Sequence, residues 1–314
     1  MKFDASVLNN TEKIIFALRA LYMNSGYSRY TMSRFEEYDL YSRNKEFLVS
    51  DGVITFTDTN GMLMALKPDV TLSIIRNCSD EKDCLRKLCY NESVYRISKK
   101  TGSFKEIMQT GLECMGKIDT SCLTEVISLA GASLAMLSDA FILEVSDMDI
   151  VLAFLDEMTD SDEVKRSIIK CAGERNIHEI TEICMREKIP DDRCSAFKEL
   201  ISVSGRAGSA LSGLEKLCQN DKLRARLDLI KSIISGVKDP EIRSKIEIDF
   251  SLIGDVSYYN GIVFRGFIDG IPDRVLSGGQ YDRLMEKMGK KSNAVGFAVY
   301  LDELERIKLP DDVC

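Results

Sequence analysis

The sequence is poor in the residues from which many catalytic centres are built. Its 314 residues include one histidine, five prolines and no tryptophan. Catalytic Ser-His and Cys-His pairs, histidine-ligated zinc and histidine general bases all need a histidine in a pocket. His178 instead follows Arg175 and Asn176 on the polar face of a predicted helix. We therefore expect a solvated surface residue and exclude these classes of site.

Long hydrophobic runs and phosphate-binding loops are also absent. No apolar run approaches the roughly 18 residues that span a membrane, and the N-terminal MKFDASVLNN lacks the apolar region of a secretory signal. Neither G-x-x-x-x-G-K-S/T nor a G-x-G-x-x-G after a strand occurs. We therefore expect a cytoplasmic protein with no membrane partner and no bound cofactor.

Ten cysteines are present, but none forms a C-x-x-C pair. Together with the single histidine, this spacing excludes a zinc finger and a disulfide framework. Several cysteines have apolar neighbours, as in Ile183-Cys184-Met185, which favours reduced thiols in the core over nucleophiles. We expect no metal site.

Negatively charged residues outnumber positively charged ones, because the chain has 50 aspartates and glutamates but 42 lysines and arginines. Its net charge is -8. A broad, sequence-independent grip on nucleic acid needs a basic face, so nucleic acid is not an expected partner. With 45% hydrophobic residues, the chain can bury a substantial core in one large domain or two ordinary ones.

Hydrophobic periodicity predicts an α+β protein with a helical segment in its middle. Strands are predicted near 53–57, 62–66, 93–96, 106–115, 140–145, 246–252, 261–268 and 275–279, and helices near 11–24, 71–77, 122–139 and 296–307. From about residue 147 to 238 the period is helical. We therefore divide the chain into 1–146, a helical insertion at 147–238, and 239–314.

The predicted strand over 106–115 carries a polar face. Alternation places Gln109, Gly111 and Glu113 on one side and apolar residues on the other. An ordinary solvent face would show the same pattern. A glycine inside a strand weakens it, however, and often marks close approach by a ligand. We therefore interpret this face as the floor of a binding site.

Three further segments are weak signals by themselves. Asp69 and Thr71 offer a carboxylate and a hydroxyl at the start of a helix, although Asp69 could serve only as its N-cap. The tyrosine pair at 258–259 precedes a strand, which alone would indicate packing. The glycine pair at 278–279 lets the backbone approach another group closely, or forms a plain turn.

These segments occur together and in the order found in one known family. The motifs are LKPDVT (66–71), VYR (94–96), QTGLE (109–113), YYNGIVF (258–264), GGQYD (278–282) and AVGFAVYLDEL (294–304). Over nearly its whole length the chain resembles the catalytic core of histidyl-tRNA synthetase. The resemblance implies a class II synthetase fold, an antiparallel sheet flanked by helices, with 147–238 as a helical insertion and no anticodon-binding domain.

The chain departs from that family where ATP would be held. The resemblance places Glu303 at the arginine that clamps the nucleotide phosphate, Gly254 at the histidine-specific arginine and Ser103 at a further arginine. Other departures are an acidic residue that aligns near Ile97 or Ser98 and a first-motif proline that aligns with Ser33. A carboxylate repels phosphate, and lost arginine contacts weaken transition-state stabilisation. We therefore expect no adenylation.

The groups that would hold histidine are kept. The resemblance implies a histidine site made of Asp69, Thr71, Arg96, Gln109, Gly111, Glu113, Tyr258 and Tyr259, supported by Gly278, Gly279 and Tyr281. Asp69, Thr71 and Gln109 would take the α-ammonium group. Glu113 and Tyr259 would meet the imidazole N–H groups, and Arg96 would pair with the α-carboxylate.

A histidine pocket without adenylation chemistry resembles the regulatory subunits of ATP phosphoribosyltransferase. In that family the subunit is not itself an enzyme. It binds and activates the short catalytic subunit, relays feedback inhibition by L-histidine in histidine biosynthesis, and assembles into a hetero-octamer, which implies self-association. Two alternatives stay open: a histidyl-tRNA synthetase core or fragment, and a non-catalytic tRNA-like sensing module.

Overall fold

A computed structural model describes residues 7–48, 52–79, 84–98, 101–253 and 258–304. Within these ranges the helices are α1 (Asn10–Asn24), α2 (Tyr38–Ser42), α3 (Val70–Asn77), α4 (Thr120–Ala135), α5 (Met148–Met158), α6 (Asp162–Gly173), α7 (Ile177–Arg186), α8 (Asp191–Ile201), α9 (Ala207–Leu217), α10 (Asp221–Gly236), α11 (Pro240–Ser244) and α12 (Asp282–Lys287). The strands are β1 (Ser28–Arg29), β2 (Phe35–Glu37), β3 (Thr55–Thr57), β4 (Leu63–Leu66), β5 (Arg86–Ile97), β6 (Phe104–Gly116), β7 (Phe141–Asp147), β8 (Ser204–Arg206), β9 (Ile246–Asp249), β10 (Asn260–Ile268), β11 (Leu276–Gln280) and β12 (Asn293–Tyr300).

In the described part of the chain, nine strands form one large sheet in the order β1-β5-β6-β12-β11-β10-β7-β9-β8. Its neighbouring strands are antiparallel, except that β1 is parallel to β5 and β7 to β9. Strands β2, β4 and β3 form a small antiparallel sheet. The predicted α+β class, with a largely antiparallel sheet flanked by helices, is confirmed.

The two faces of the large sheet meet different cores, because successive side chains of a strand point to opposite sides. Leu112 and Cys114 of β6 and Phe297 of β12 belong to the core that includes α1 and α4. Tyr90 of β5 and Met115 of β6 belong to a smaller core that includes α3 and α12. The polar face of β6 therefore lies on the side of the smaller core.

The prediction of a helix over 296–307 is wrong where the structure describes it. Residues Asn293–Tyr300 form a strand, followed by a single 3-10 turn at Leu301–Leu304. This strand pairs with β6 on one side and β11 on the other. Its Val295 and Phe297 are buried in the larger core, so strand pairing and burial override the helical reading of its small residues.

The middle of the chain is helical, as its periodicity predicts, with one addition. Residues 148–236 contain α5 to α10 and the short strand β8, which the sequence did not predict. Strand β8 pairs with β9 at the end of the large sheet. Other predicted strands have different lengths: β5 spans Arg86–Ile97 instead of 93–96, and β9 ends at Asp249 instead of residue 252.

The histidine and the cysteines lie where the sequence predicts. The side chain of His178 is 85% exposed, and its Nε2 lies 3.2 Å from Glu182 Oε1. The described cysteines are free thiols, and all of them except Cys84 are buried. Across the described ranges, no helix combines the length and apolar character that crossing a bilayer requires.

Candidate functional site

A cavity lies over the polar face of β6, next to the smaller core. It encloses about 610 Å³ of space free of protein atoms, including its open mouth. Eight of its lining residues are predicted site residues: Asp69, Thr71, Arg96, Gln109, Glu113, Tyr258, Tyr259 and Tyr281. Segments far apart in the sequence therefore meet in one pocket.

Asp69 connects the pocket to α3. Its Oδ1 accepts a hydrogen bond from Leu72 N at 2.9 Å, so it is the N-cap of α3 as well as a wall of the cavity. Arg96 donates from Nε to the Pro68 carbonyl oxygen at 2.7 Å, and its Nη2 lies 3.4 Å from Asp69 Oδ2. Burial raises the pKa of Asp69, while Arg96 and the backbone N–H groups of α3 act in the opposite direction.

Glu113 lies at the floor of the pocket, where it is 2% exposed. Thr71 donates from Oγ1 to Glu113 Oε1 at 2.8 Å, and Tyr281 donates its hydroxyl to Oε2 at 2.6 Å. Burial raises the pKa of Glu113 to about 8; the two hydroxyls lower it and the nearby Asp69 raises it further. A buried carboxyl group without a cationic partner favours a ligand that carries positive charge or donates hydrogen bonds.

The charge balance of the lining supports the same chemistry. The lining residues that the structure describes include two carboxyl groups, Asp69 and Glu113, and one guanidinium group, Arg96. The amide of Gln109 is 3% exposed and can both donate and accept hydrogen bonds. This set of groups can bind a small zwitterion that presents an ammonium group, a second N–H donor and a carboxylate.

Gly111 is closely packed by atoms of the protein itself. A Cβ atom on Gly111 would lie 2.2 Å from the Phe297 carbonyl oxygen and 2.7 Å from the Tyr90 hydroxyl. Neighbouring protein atoms are thus enough to require a glycine here, and the place of Gly111 in the histidine site stays a prediction. Gly111 does not line the cavity.

The glycine pair of β11 lies beside the pocket without lining it. A Cβ atom on Gly278 would lie 2.4 Å from the Gly296 carbonyl oxygen. A Cβ atom on Gly279 would lie 2.8 Å from Cδ1 of Tyr259. Gly279 therefore leaves room for the ring of Tyr259, which lines the cavity.

Several lining residues were missed by the sequence analysis: Phe47, Val70, Tyr90, Ser277, Gly296, Phe297, Ala298 and Tyr300. Tyr90 pairs with Gly111 and so shares the polar face of β6; it was missed because the predicted strand covered only 93–96 of β5. Gly296 and Tyr300 could not be placed while their segment was interpreted as a helix. With Tyr90 and Tyr300, five tyrosines line the pocket and give it aromatic walls.

The positions at which the chain departs from the family lie in several separate segments. Ser103 lies in the exposed turn between β5 and β6, and its Oγ lies 2.7 Å from Thr101 Oγ1. Ile97 and Ser98 lie at the end of β5, and Ser33 is exposed. Gly254 and the side chain of Glu303 are outside the described part of the structure. In the described residues, no group of three potential metal-ligating side chains comes together.

Comparisons with known proteins agree with this architecture. The family model described as Histidyl-tRNA synthetase matches residues 5–304. A protein of Clostridium novyi (strain NT), named ATP phosphoribosyltransferase regulatory subunit, is 28% identical over 298 residues, which cover 91% of this chain and 70% of that protein.

Two solved structures show the same fold. One is described as an ATP phosphoribosyltransferase regulatory subunit/histidyl-tRNA synthetase from Bacillus halodurans C; its TM-score is 0.82 at 24% identity, with 94% of this chain and 78% of that chain covered. The other is a chain of the ATP phosphoribosyl transferase (HisG:HisZ) complex from Thermotoga maritima. Its TM-score is 0.73 at 18% identity, with 94% and 98% of the two chains covered.

Proposed function

This chain belongs to the histidyl-tRNA synthetase family, and we propose that it is a regulatory subunit of ATP phosphoribosyltransferase in histidine biosynthesis. The observation that carries the proposal is the likeness to curated regulatory subunits across 91% of the chain. The chain itself performs no chemistry in this proposal. It binds a catalytic subunit of the short form, activates it and makes it sensitive to L-histidine.

We infer that the pocket over β6 is the histidine site. The α-ammonium lies against Asp69, with Thr71 and Gln109 beside it, and the imidazole lies toward Glu113 and Tyr259. Each oxygen of Glu113 accepts one hydrogen bond within the protein and keeps capacity to accept another from an imidazole N–H. Support comes from the burial of Glu113, whose partners in the protein are two hydroxyl groups and no cation, so that a cationic or donor-rich ligand would compensate it further.

Arg96 serves the α-carboxylate in this proposal. Its Nε is engaged with the Pro68 carbonyl oxygen, which fixes the guanidinium at the pocket wall. The remaining nitrogens can pair with a carboxylate, and a guanidinium held in place loses little freedom when it does so. Asp69 Oδ2, 3.4 Å from Arg96 Nη2, keeps capacity to accept a hydrogen bond from the ammonium group.

We infer further that ATP chemistry is lost. The family resemblance places Ser103, Gly254 and Glu303 where the synthetase has arginines. Of these, Ser103 lies in an exposed turn with a short hydroxyl side chain. Without positioned cations, phosphate charge is not stabilised, which argues against a histidyl-tRNA synthetase core or fragment. The net charge of -8 argues against the tRNA-like sensing module.

Three finer features belong to the same proposal. The chain associates with itself and with the catalytic subunit in a hetero-octamer, and it acts in the cytoplasm. Residues 147–238 form a helical insertion in the synthetase-like core. The helices α5 to α10 support that insertion.

Reconstitution tests the proposed function. A short-form catalytic subunit from the same source is assayed for phosphoribosyl transfer alone and with this chain added. We expect little or no activity from the catalytic subunit alone and a large increase on addition. An unchanged rate, with the two chains eluting separately in size-exclusion chromatography, contradicts the proposal. ATP-pyrophosphate exchange with histidine would identify the synthetase alternative.

A further inference from the structure

An ion pair with a fully buried carboxylate joins α10 to the end of β7. Arg226 of α10 donates from Nε to Asp147 Oδ2 at 2.9 Å, and its Nη2 lies 2.6 Å from the same oxygen. Nη2 also lies 3.4 Å from Asp149 Oδ2. The guanidinium of Arg226 thus contacts two carboxylates, one at the end of β7 and one in the first turn of α5.

Asp147 is fully buried and uses both of its oxygens. Its Oδ1 accepts from the backbone N–H groups of Asp149 and Ile150, at 2.9 and 3.2 Å, and so caps α5. Its Oδ2 has Arg226 as partner. Because a buried carboxylate without a cation is costly, this position depends on the arginine.

From Asp149 the network continues to β10. Gly261 N donates to Asp149 Oδ1 at 3.4 Å, and Gly261 has a positive φ of 59°. A Cβ atom on Gly261 would lie 2.3 Å from Gln280 Oε1 and 3.2 Å from Arg226 Nη2. Gln280 Oε1 in turn accepts from Ile262 N at 2.9 Å. Arg226 therefore packs directly on the irregular start of β10.

The residues just before β10 supply two tyrosines that line the pocket. Tyr258 and Tyr259 come immediately before Asn260 and Gly261, and their rings lie 4.6 Å apart. Asn260 donates from Nδ2 to Asp282 Oδ2 at 3.0 Å, which joins the segment to the residue that follows Tyr281. The contacts of Arg226 thus lead to the segment of Tyr258 and Tyr259 and, through Asn260, to the segment of Tyr281.

We propose that Arg226 is a positioning residue for the pocket, which holds Tyr258 and Tyr259 in place by fixing the backbone at Gly261 through Asp147 and Asp149. This inference rests on the proposed histidine site and goes beyond it, since it places a determinant of ligand affinity on α10, outside the cavity lining. It also gives the helical middle of the chain a physical connection to the ligand.

The test compares three full-length variants. Arg226→Gln removes the charge. Arg226→Lys keeps a cation beside Asp147 but lacks the forked guanidinium that contacts both carboxylates. Lys231→Gln is the matched control, because Lys231 also lies on α10 and pairs at 2.6 Å with Glu215, away from the cavity.

Two quantities are measured for each variant. One is the L-histidine dissociation constant by titration calorimetry, well below the unfolding temperature. The other is the near-ultraviolet circular dichroism without histidine, which reports tyrosine packing because the chain has no tryptophan. We expect Arg226→Gln to bind histidine about 3- to 30-fold more weakly, with a changed tyrosine spectrum. Arg226→Lys should be intermediate, and Lys231→Gln should match wild type.

The possible results separate this inference from the proposed function. Arg226→Gln with wild-type affinity and spectrum overturns the positioning role. If Arg226→Gln does not fold, Arg226→Lys decides: wild-type affinity overturns the inference, and weaker affinity than in Lys231→Gln supports it. If wild type itself does not bind histidine, the proposed site fails. The tyrosine spectra still test whether Arg226 positions Tyr258 and Tyr259.

Discussion

A Cβ atom on Gly296 would lie 1.8 Å from Glu113 Oε2. The carboxyl group of Glu113 therefore occupies the space that any side chain at position 296 would need. The main-chain pairing of Gly296 with Glu113 across β12 and β6 makes this approach possible. One glycine on a neighbouring strand thus allows the floor of the pocket to carry a carboxyl group that also accepts from Thr71 and Tyr281.

Gly296→Ala should remove this arrangement. The added methyl must displace the Glu113 carboxyl from its two hydroxyl partners, at a cost of about 1 to 3 kcal/mol in the free energy of unfolding. Histidine binding should weaken as well. Gly213→Ala is the control, since a Cβ atom there meets nothing within 4 Å. Denaturant unfolding and histidine titration measure both effects, and a stable Gly296→Ala protein with normal affinity would disprove the packing argument.

Glu113→Gln should separate charge from shape. The amide keeps nearly the same size but carries no charge, and its NH2 end donates instead of accepting, so histidine binding should weaken by about 1 to 3 kcal/mol. Glu125→Gln is the comparison, because Glu125 pairs with Lys87 at 2.7 Å away from the cavity. Calorimetric titration gives the affinities. An unchanged histidine affinity in Glu113→Gln removes this residue from the site.

The raised pKa of Glu113, about 8 against 4.5 as the ordinary value, predicts how stability depends on pH. The folded state holds the proton more tightly than the unfolded state. The stability contributed by this group is therefore fully present below about pH 4.5 and is lost as pH rises through about 8. Burial also raises the pKa of Asp69 and Asp147. These two carboxyl groups therefore also make the folded state less stable as pH rises.

The difference between wild type and Glu113→Gln isolates the contribution of Glu113. We expect the free energy of unfolding of wild type to fall, relative to the variant, between about pH 5 and about pH 8. Histidine affinity should rise over the same interval in wild type, because ionised Glu113 is the better acceptor. Parallel unfolding curves for the two proteins across this interval would show that Glu113 does not titrate there.

ATP-pyrophosphate exchange should be absent. Labelled pyrophosphate is incubated with ATP, histidine and the isolated chain, beside an active histidyl-tRNA synthetase as positive control. We expect exchange at the rate without protein, because the positions that resemble phosphate-binding arginines carry no positive charge. Exchange above that rate would support the synthetase alternative.

Much of the site could be predicted from local sequence patterns. The alternation of β6 places Gln109 and Glu113 on one face, and the acidic cap of α3 places Asp69 at a helix start; both arise from short-range geometry. The wrong helix over Gly296 arose because pairing with β6 and β11 is not encoded locally. That error hid the contact between Gly296 and Glu113.

The ion pair of Arg226 shows a different limit of sequence analysis. Its partner Asp147 is 79 positions away, and neither residue stands in a motif. Their contact follows only from the packing of α10 against α5, which begins directly after Asp147. Tyr300 was missed for a similar reason, since its place in the pocket depends on the register of β12. Long-range packing, which has no periodic signature, therefore decided the residues that the sequence did not show.

The most direct test of the account is histidine inhibition of the reconstituted phosphoribosyltransferase. Asp69→Asn is the informative variant, because asparagine can still cap α3 but lacks the charge that would hold the α-ammonium. The account predicts that this variant activates the catalytic subunit as wild type does, while the histidine concentration needed for inhibition rises about 5- to 150-fold. Normal activation with inhibition as strong as in wild type would contradict it, because the histidine sensor would then lie outside this pocket.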